Sequence, residues 1–219
     1  MTAPNANRFD IVIAVDGPAA SGKGTIARAL AAHFGLPHMD TGSLYRAVGL
    51  AVLRAGGDPA DAALAAKCAR MLDVTALDDP ALRESATARA ASVVSAHPEV
   101  RAALLECQRG FARQPGGAVL DGRDIGTVIA PDADIKIFVT ASLEVRARRR
   151  QAETPERDLA VVRANLAERD ARDSGRDAAP LRQAEDAILL DTSAMDREAA
   201  IARAIALAEA RLAEKTALR

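Results

Sequence analysis

The residues with the clearest chemistry form one short segment, which reads GPAASGKGT. Glycines let successive backbone N–H groups face inward beneath the positive end of a helix, and a phosphate needs several such donors at once. Lys23 adds a mobile full charge that can bridge the β- and γ-phosphates of a nucleoside triphosphate. The segment therefore predicts a phosphate cradle made by nine residues, Gly17, Pro18, Ala19, Ala20, Ser21, Gly22, Lys23, Gly24 and Thr25.

Gly24 separates the lysine from Thr25, whereas the usual phosphate loop has a serine or threonine directly after its lysine. The glycines and the lysine keep their spacing, so the cradle is expected to persist. The hydroxyl lies one residue further along, however. A magnesium ion is therefore expected to be held largely through water, with Thr25 and Asp121 as the candidate metal residues.

Asp121 and Arg123 follow a short apolar run, Ala118 to Leu120. Carboxyl ends of parallel strands are where open α/β sheets bind their ligands. Arg123 is therefore predicted to hold a phosphate, and Asp121 to orient water bound to magnesium. The alternative for Asp121 is a structural role as the cap of the following turn.

A second grip for an acceptor is predicted at Thr41, Tyr45 and Arg46. Thr41 places a hydroxyl near a helix start, and Arg46 lies one turn further on, which suits a phosphate or a sugar. The alternative for Arg46 is an ordinary solvated helix residue.

The segment from Glu144 to Arg182 is the densest in arginine, and acidic residues accompany the arginines throughout. A solvated, salt-bridged helix face is one interpretation of it. Arg169, Arg172 and Arg176 have the spacing i, i+3, i+7, which predicts that they share one helical face, with Asp173 on the adjacent one. A mobile lid that closes on a polyphosphate needs such an arrangement.

These residues require a scaffold that brings strand ends together. Short apolar runs predict five strands, Ile11 to Val15, Leu36 to Met39, Ala118 to Leu120, Ile135 to Thr140 and Ala187 to Leu190. Helical patterns alternate with them, including Ser43 to Arg54 and Asp196 to Lys215, and 61–111 is mostly helical with breaks near Pro80 and Pro98. The expected fold is α/β, a doubly wound five-stranded parallel sheet.

Composition limits the classes of function. The chain has 219 residues, 49% of them hydrophobic and 27% charged, which is typical of one globular domain. A net charge of −1 gives no global basic field for nucleic acid or membranes, and 2% aromatic residues offer few stacking platforms for an RNA binder. Cys68 and Cys107 lack metal-site spacing and are expected to be buried or inert thiols.

The N-terminal segment 1–7 has no apolar signal-peptide core, and the longest charge-free window, 29–39, is too short to span a bilayer. A cytoplasmic protein with no membrane partner is expected, and the default oligomeric state is a monomer. His33, His38 and His97 are each expected to be structural or surface residues rather than catalytic ones.

Two pairs of motifs resemble a known family. GPAASGKGT followed by LPHMDTGSLYR resembles the start of nucleoside monophosphate kinases, which are P-loop NTPases. LDGRDIGT and ERDARDSGR resemble bacterial cytidylate kinases in particular, and adenylate kinases share only the first pair. The resemblance implies transfer of the γ-phosphoryl group from ATP, with Mg²⁺, to CMP or dCMP as small-molecule acceptors.

The resemblance also implies roles for particular residues. It gives Lys23, Arg123, Arg169 and Arg172 as catalytic, and it extends the acceptor site from Thr41, Tyr45, Arg46 and Arg123 to Ser92, Arg109, Asp124, Asp173 and Arg176. Ser92, Arg109 and Asp124 are expected near the base. Cytosine presents an amino donor where uracil presents an acceptor, so a carboxylate such as that of Asp124 favours cytosine.

One kinase domain with three parts is expected. The core comprises about residues 8–58, 112–145 and 185–219, the monophosphate-binding insertion about 59–111, and the arginine-rich lid about 146–184. Val74 to Ala90 contains no alternating strand pair, so the insertion is expected to be helical. The alternatives are a related kinase that acts on UMP or AMP, and a nucleotide-sensing P-loop module without turnover.

Overall fold

A computed structural model of the chain describes residues 11–73, 77–154, 156 and 158–217. Its centre is one five-stranded sheet with the order β2-β3-β1-β4-β5, in which all neighbouring strands are parallel. The strands are β1 Ile11–Asp16, β2 His38–Asp40, β3 Gly117–Gly122, β4 Ile135–Thr140 and β5 Ile188–Asp191. The predicted α/β fold with a five-stranded parallel sheet is therefore confirmed.

Helices connect the strands and cover the sheet. They are α1 Lys23–Phe34, α2 Thr41–Arg54, α3 Ala62–Arg70, α4 Ser85–Val94, α5 Pro98–Ala112, α6 Leu143–Glu153, α7 Leu159–Ser174 and α8 Arg197–Ala217, with a 3₁₀ turn at Pro80–Arg83 and a π-helical turn at Ile125–Ile129. Local signals set several ends. Gly35 adopts a left-handed conformation and caps α1, and Pro98 begins α5 where its missing N–H costs no hydrogen bond.

The second strand begins later than its apolar run predicts. Pro37 has no N–H to give to a sheet ladder, and only its carbonyl takes part, accepting a hydrogen bond from the Val119 N–H at 2.9 Å. The strand assignment therefore starts at His38, which lies opposite Val119. This register places Asp40 beside Asp121 at the carboxyl edge of the sheet.

Alternation along β1 divides the core between the two faces of the sheet. Ile13 and Val15 pack with Ile26 and Leu30 of α1 and with alanines of α8. Ala14 faces the opposite way and packs with Leu120 and Ile125 and the end of α5. Each fully buried Val, Leu or Ile contributes about 1.5–3 kcal/mol, so the two layers stabilise the sheet from both faces.

The insertion is helical as far as the structure describes it. The stretch 77–90 contains a 3₁₀ turn and the start of α4, while 74–76 lie outside the described residues, as does Arg157 of the arginine-rich segment. Helix α4 lies against α2 at Gly49, where a Cβ atom would come within 2.8 Å of the Ala91 nitrogen. This close approach brings Tyr45 and Ala91 to one side of the carboxyl edge.

The prediction of one arginine face on α7 is wrong for Arg176. Helix α7 ends at Ser174, and Gly175 closes it with a hydrogen bond from its N–H to Ala171 O at 2.9 Å. Beyond this cap the chain leaves the helix, so only Arg169 and Arg172 keep the predicted helical spacing. Arg176 returns toward the sheet and is buried.

Neither cysteine in the structure takes part in a disulfide, and both are partly buried. Among the residues described, no helix combines the length and the apolar character needed to cross a bilayer.

Candidate functional site

The loop between β1 and α1 contains two glycines in backbone conformations that other residues rarely adopt. Gly17 has φ of 153°, and a Cβ atom there would lie only 2.0 Å from Val139 O. Gly22 has φ of 93°, so the chain turns sharply before α1 begins at Lys23. The loop thus presents its amides at the positive end of a twelve-residue helix.

Lys23 lies among groups that disfavour its charge. Desolvation by the surrounding protein, together with Arg123, lowers the pKa of Lys23 to about 7, while Asp121 and Asp40 act in the opposite direction. A phosphate placed on the loop supplies the negative charge that restores the ammonium form. The site therefore has an excess of positive charge that suits a polyanion.

Asp121 faces this loop from the end of β3. Its residue is 2% exposed, and Oδ1 lies 2.8 Å from His38 Nε2, which donates because an ionised carboxylate only accepts. Its Oδ2 lies 3.4 Å from the position a Cβ atom would take on Gly24. Thr41 Oγ1 donates to the Asp121 carbonyl at 2.9 Å, which fixes the strand end.

A second pocket opens at the same edge, beside the loop. It brings together seven predicted site residues from α2, β3, α7 and the turns that follow them, namely Thr41, Tyr45, Arg123, Asp124, Arg169, Asp173 and Arg176. The remaining walls come from Gly42, Ala91, Ser95, Arg101 and Gly122. The cavity has a volume of about 40 Å³, which is little more than the space of one water molecule.

Asp173 organises one side of the pocket. Arg123 Nε donates to Asp173 Oδ2 at 2.8 Å, and Arg169 Nε lies 3.9 Å from the same oxygen. Burial opposes ionisation of Asp173, but Arg123 and Arg169 together hold its pKa below the usual value. Burial, and then repulsion from Arg123, lower the pKa of Arg169 to about 9, while Asp173 acts in the opposite direction. Asp173 therefore balances only part of the positive charge of the two arginines.

Asp124 and Arg101 form an ion pair on the other side. Their side chains are 7% and 9% exposed, and the guanidinium also donates to Ser95 O at 3.3 Å. The Arg101 guanidinium carbon lies 5.6 Å from the centroid of the Tyr45 ring, within the range of a cation–π contact. Arg176 Nη1 donates to the same Ser95 carbonyl at 3.3 Å.

Arg101 is the main residue that sequence reasoning missed. The signal was its place on α5, where Arg101, Leu104 and Gln108 have the spacing i, i+3, i+7 and are all buried. An arginine in such a stripe needs an anionic partner. The structure therefore pairs Arg101 with Asp124, whereas Arg109 points elsewhere.

The other predicted residues lie around the pocket rather than in its wall. Arg109 donates to Val128 O at 3.3 Å, away from the carboxylate of Asp124. Ser92 is buried and accepts a hydrogen bond from Arg172 Nη1 at 2.6 Å. Arg46 Nη1 donates to Oδ2 of Asp40, the last residue of β2, at 3.1 Å.

Several buried polar atoms at this edge lack a hydrogen-bond partner among the described residues. They are Ser21 Oγ in the loop, and Arg169 Nε and Arg176 Nη2 around the second pocket. An unsatisfied buried donor or acceptor costs about 1–3 kcal/mol. Their clustering indicates that a polar ligand with several acceptors completes the site.

A larger cavity of about 460 Å³ lies on the outer side of the phosphate loop. Its walls come from the loop, α1, α6, the turn after β5 and α8, and only the loop and the start of α1 belong to a motif that the sequence singled out. Arg149 holds this wall together, donating from Nη2 to Thr192 O at 2.8 Å and from Nη1 to Ser21 O at 3.3 Å. The two cavities share no lining residue, so they are separate.

Solved structures share this fold at low sequence identity. A gluconokinase from Sinorhizobium meliloti 1021 aligns with 97% of this chain and 98% of its own at a TM-score of 0.54 and 18% identity. An uncharacterized protein from Eubacterium ventriosum ATCC 27560 aligns with 92% of this chain and 99% of its own at a TM-score of 0.56 and 15% identity. These likenesses concern the fold alone.

Sequence comparisons are far closer. The family model described as cytidylate kinase matches residues 13–210. A protein named cytidylate kinase from Xanthobacter autotrophicus is 61% identical over 93% of this chain and 99% of its own length. Another from Rhodopseudomonas palustris strain TIE-1 is 59% identical over 91% of this chain and 96% of its own length. The chain therefore belongs to the cytidylate kinase family of phosphotransferases.

Proposed function

We propose that the chain transfers the γ-phosphoryl group of ATP to CMP or dCMP and so produces CDP or dCDP. The observation that carries this proposal is the arrangement at one sheet edge of a phosphate loop and an arginine-rich pocket that ends in the Arg101–Asp124 pair. Family membership supports the same reaction.

The donor nucleotide would extend across the loop. Residues 17–25 would hold its phosphates, and the cavity of about 460 Å³ is large enough for the nucleoside. Ser21 Oγ, which is buried and without a hydrogen-bond partner among the described residues, offers a donor to a phosphate oxygen.

The acceptor would lie in the second pocket with its base at the Arg101–Asp124 pair. Cytosine offers an amino donor to the Asp124 carboxylate, and its ring N3 accepts a hydrogen bond from an arginine. Uracil offers an acceptor and an N–H at these two positions, so both contacts become repulsive. We therefore propose Arg101, rather than Arg109, as the arginine that reads the base.

The remaining residues would hold the acceptor phosphate and the sugar. Thr41, Arg46 and Arg123 are proposed for the phosphate, and Tyr45, Ser92, Asp173 and Arg176 for the rest of the nucleotide. Arg176 Nη2, which has no hydrogen-bond partner among the described residues, supports this assignment.

Phosphoryl transfer depends on positioning of the two substrates and on positive charge around the migrating group more than on proton transfer. An acceptor phosphate oxygen attacks the γ-phosphorus, and the bond from that phosphorus to the bridging oxygen of ADP breaks. Lys23, Arg123, Arg169 and Arg172 are the proposed catalytic residues, because their charges would surround the migrating group. No general base is required.

The residues present fit a magnesium ion held through water. The Asp121 carboxylate is buried at the strand end and faces Gly24, which suits a partner of metal-bound water, and Thr25 is the second candidate. When bound, the ion would neutralise negative charge on the phosphates. Within the described residues, no group of three or more His, Cys, Asp or Glu side chains is arranged to hold a metal ion.

The acceptor pocket must widen before a nucleotide enters, because about 40 Å³ does not admit one. We propose that the segment of about 146–184 acts as a lid and that about 59–111 holds the monophosphate. Closure of the lid would exclude water and so suppress hydrolysis of ATP.

A coupled assay of ADP production with ATP and, in turn, CMP, dCMP, UMP and AMP tests the proposal. The expected result is fast turnover with CMP or dCMP and slow turnover with the other two. Binding of ATP without ADP production for any acceptor would support the nucleotide-sensing alternative. Preference for UMP or AMP would support the related-kinase alternative.

A further inference from the structure

The Asp124 carboxylate does not cap the turn that follows it. It directly precedes the π-helical turn 125–129, where an aspartate commonly folds back and accepts hydrogen bonds from the amides that follow. The Asp124 side chain makes no such bond, although its backbone, with φ of −144° and ψ of 24°, begins the turn. The carboxylate instead points to Arg101 in the acceptor pocket.

The first two amides of this turn donate instead to the side chain of Asp16, at the end of β1. Ile125 N–H donates to Asp16 Oδ1 at 2.8 Å, and Gly126 N–H donates to Asp16 Oδ2 at 2.8 Å. Asp16 is the last residue of β1, lies beside Gly122 in the sheet and is 6% exposed. Each carboxylate oxygen therefore satisfies one buried amide.

We propose that Asp16 is a positioning residue for base selection, because its carboxylate caps the turn 125–129 and thereby keeps the Asp124 carboxylate directed at the base. This inference rests on the proposed function of Asp124. The nearest alternative group does not replace Asp16: Lys136 lies close to Gly126 but is a donor, and its Nζ donates to Asp186 Oδ1 at 2.9 Å.

The consequence of losing this cap follows from donor and acceptor counts. In Asp16→Asn, one carboxylate oxygen becomes an NH₂ group, so one of the two buried amides faces a donor instead of an acceptor. The turn 125–129 would then shift to repair the unpaired amide, and the carboxylate of Asp124, whose backbone begins that turn, would lose its direction toward the base. Selection of cytosine should therefore weaken although every residue proposed to touch the base is still present.

The experiment compares kcat/KM for CMP with kcat/KM for UMP in the wild-type chain, Asp16→Asn, Asp124→Asn and the double variant. A ratio taken on one preparation does not depend on the fraction of folded enzyme, so a general loss of stability leaves it unchanged. We expect Asp16→Asn to lower the ratio about tenfold or more, toward that of Asp124→Asn. The double variant should show no further fall, because both changes act through one carboxylate.

Asp61→Asn is the matched control. Asp61 also accepts hydrogen bonds from two amides, those of Ala63 and Leu64 at 3.0 Å, but it caps α3 on the surface and should leave the ratio unchanged. If Asp16→Asn does not fold, Gly126→Ala crowds the same turn, since its Cβ atom would lie 3.1 Å from Lys136 Cδ, closer than an ordinary contact, and would touch Asp16 Oδ2 at 3.4 Å. It should lower the ratio in the same direction.

The outcomes separate the two proposals. A wild-type chain without preference for CMP, or an unchanged ratio in Asp124→Asn, overturns the proposed reading of the base and the present inference with it. A normal preference that Asp124→Asn erodes but Asp16→Asn and Gly126→Ala leave intact overturns the inference alone. Losses that multiply in the double variant also overturn it, because they indicate independent actions.

Discussion

Replacing Arg101 by methionine tests the centre of the proposed acceptor site. The change keeps most of the length of the side chain and removes the guanidinium. Arg101 is paired with Asp124, donates to Ser95 O at 3.3 Å and lies 5.6 Å from the centroid of the Tyr45 ring. Both charged side chains are less than a tenth exposed, so water cannot replace the lost partner.

The size of the effect follows from this burial. Removing one partner of a buried ion pair costs about 3–5 kcal/mol, because an uncompensated charge stays behind. We expect the free energy of unfolding of Arg101→Met to fall by this amount. The double variant Arg101→Met/Asp124→Asn should lose less than the sum of its single variants, since no charge is left unpaired.

Activity should fall in parallel, since the same guanidinium is proposed to contact the base. A loss of about 3 kcal/mol in transition-state binding corresponds to a fall of roughly 100-fold or more in kcat/KM for CMP. Urea unfolding and steady-state kinetics measure the two effects. Arg113→Met is the control, because Arg113 caps the same helix α5 and is exposed.

Two outcomes would refute the reasoning. One is an Arg101→Met variant whose free energy of unfolding changes by less than about 0.5 kcal/mol, as for an ordinary surface substitution. The other is a larger loss of kcat/KM for CMP in Arg109→Met than in Arg101→Met, which would return the base contact to Arg109.

Three further predictions concern the phosphate loop and β1. Lys23→Ala should lower kcat by about 10²–10³-fold with an unchanged circular dichroism spectrum, and near-normal turnover would remove Lys23 from catalysis. Gly17→Ala should abolish ATP binding in calorimetry, because its Cβ atom would lie 2.0 Å from Val139 O; retained affinity would contradict the cradle. Burial raises the pKa of Asp16 from 3.8 to about 7. The folded state therefore binds this proton more tightly than the unfolded state does, and the stabilisation that comes from the bound proton is lost as pH rises from 4 to 7. Relative to Asp16→Asn, wild-type stability in urea unfolding should fall by up to about 1.4 kcal/mol per pH unit in that range, and parallel pH profiles would contradict the shift.

The phosphate loop and the sheet could be predicted because their signals are local. Residues 17–25 are contiguous, and a buried parallel strand such as β1 is a continuous apolar run whatever its neighbours are. The strand ends followed from the same runs to within a residue or two. Only at Pro37 did the chemistry of one residue, its missing N–H, move an edge that the apolar pattern had placed earlier.

The acceptor pocket could be predicted only in part, because its contacts join distant residues. Asp124 and Arg101 are 23 positions apart, and Arg172 and Ser92 are 80 apart. Helical spacing assigned Arg176 to α7, but a glycine cap ended the helix and redirected the chain. The sequence predicted a structural or surface role for His38. Its contact with Asp121 could not be predicted, because it depends on β2 and β3 lying side by side.

The unbalanced charge at the carboxyl edge gives a physical reason for coupling ligand binding to closure. Arg101, Arg123, Arg169 and Arg176 line the pocket with only two carboxylates, Asp124 and Asp173. Burial is the main cause of the lowered pKa values of Lys23 and Arg169, and repulsion from Arg123 lowers both further. This repulsion would oppose a movement that brings α7 closer to the loop. The phosphates of the donor and the acceptor would replace this repulsion by attraction, because each added negative charge would lie between cations that otherwise repel. Closure would therefore be favourable only with both nucleotides in place, which is the condition under which transfer to CMP competes best with transfer to water.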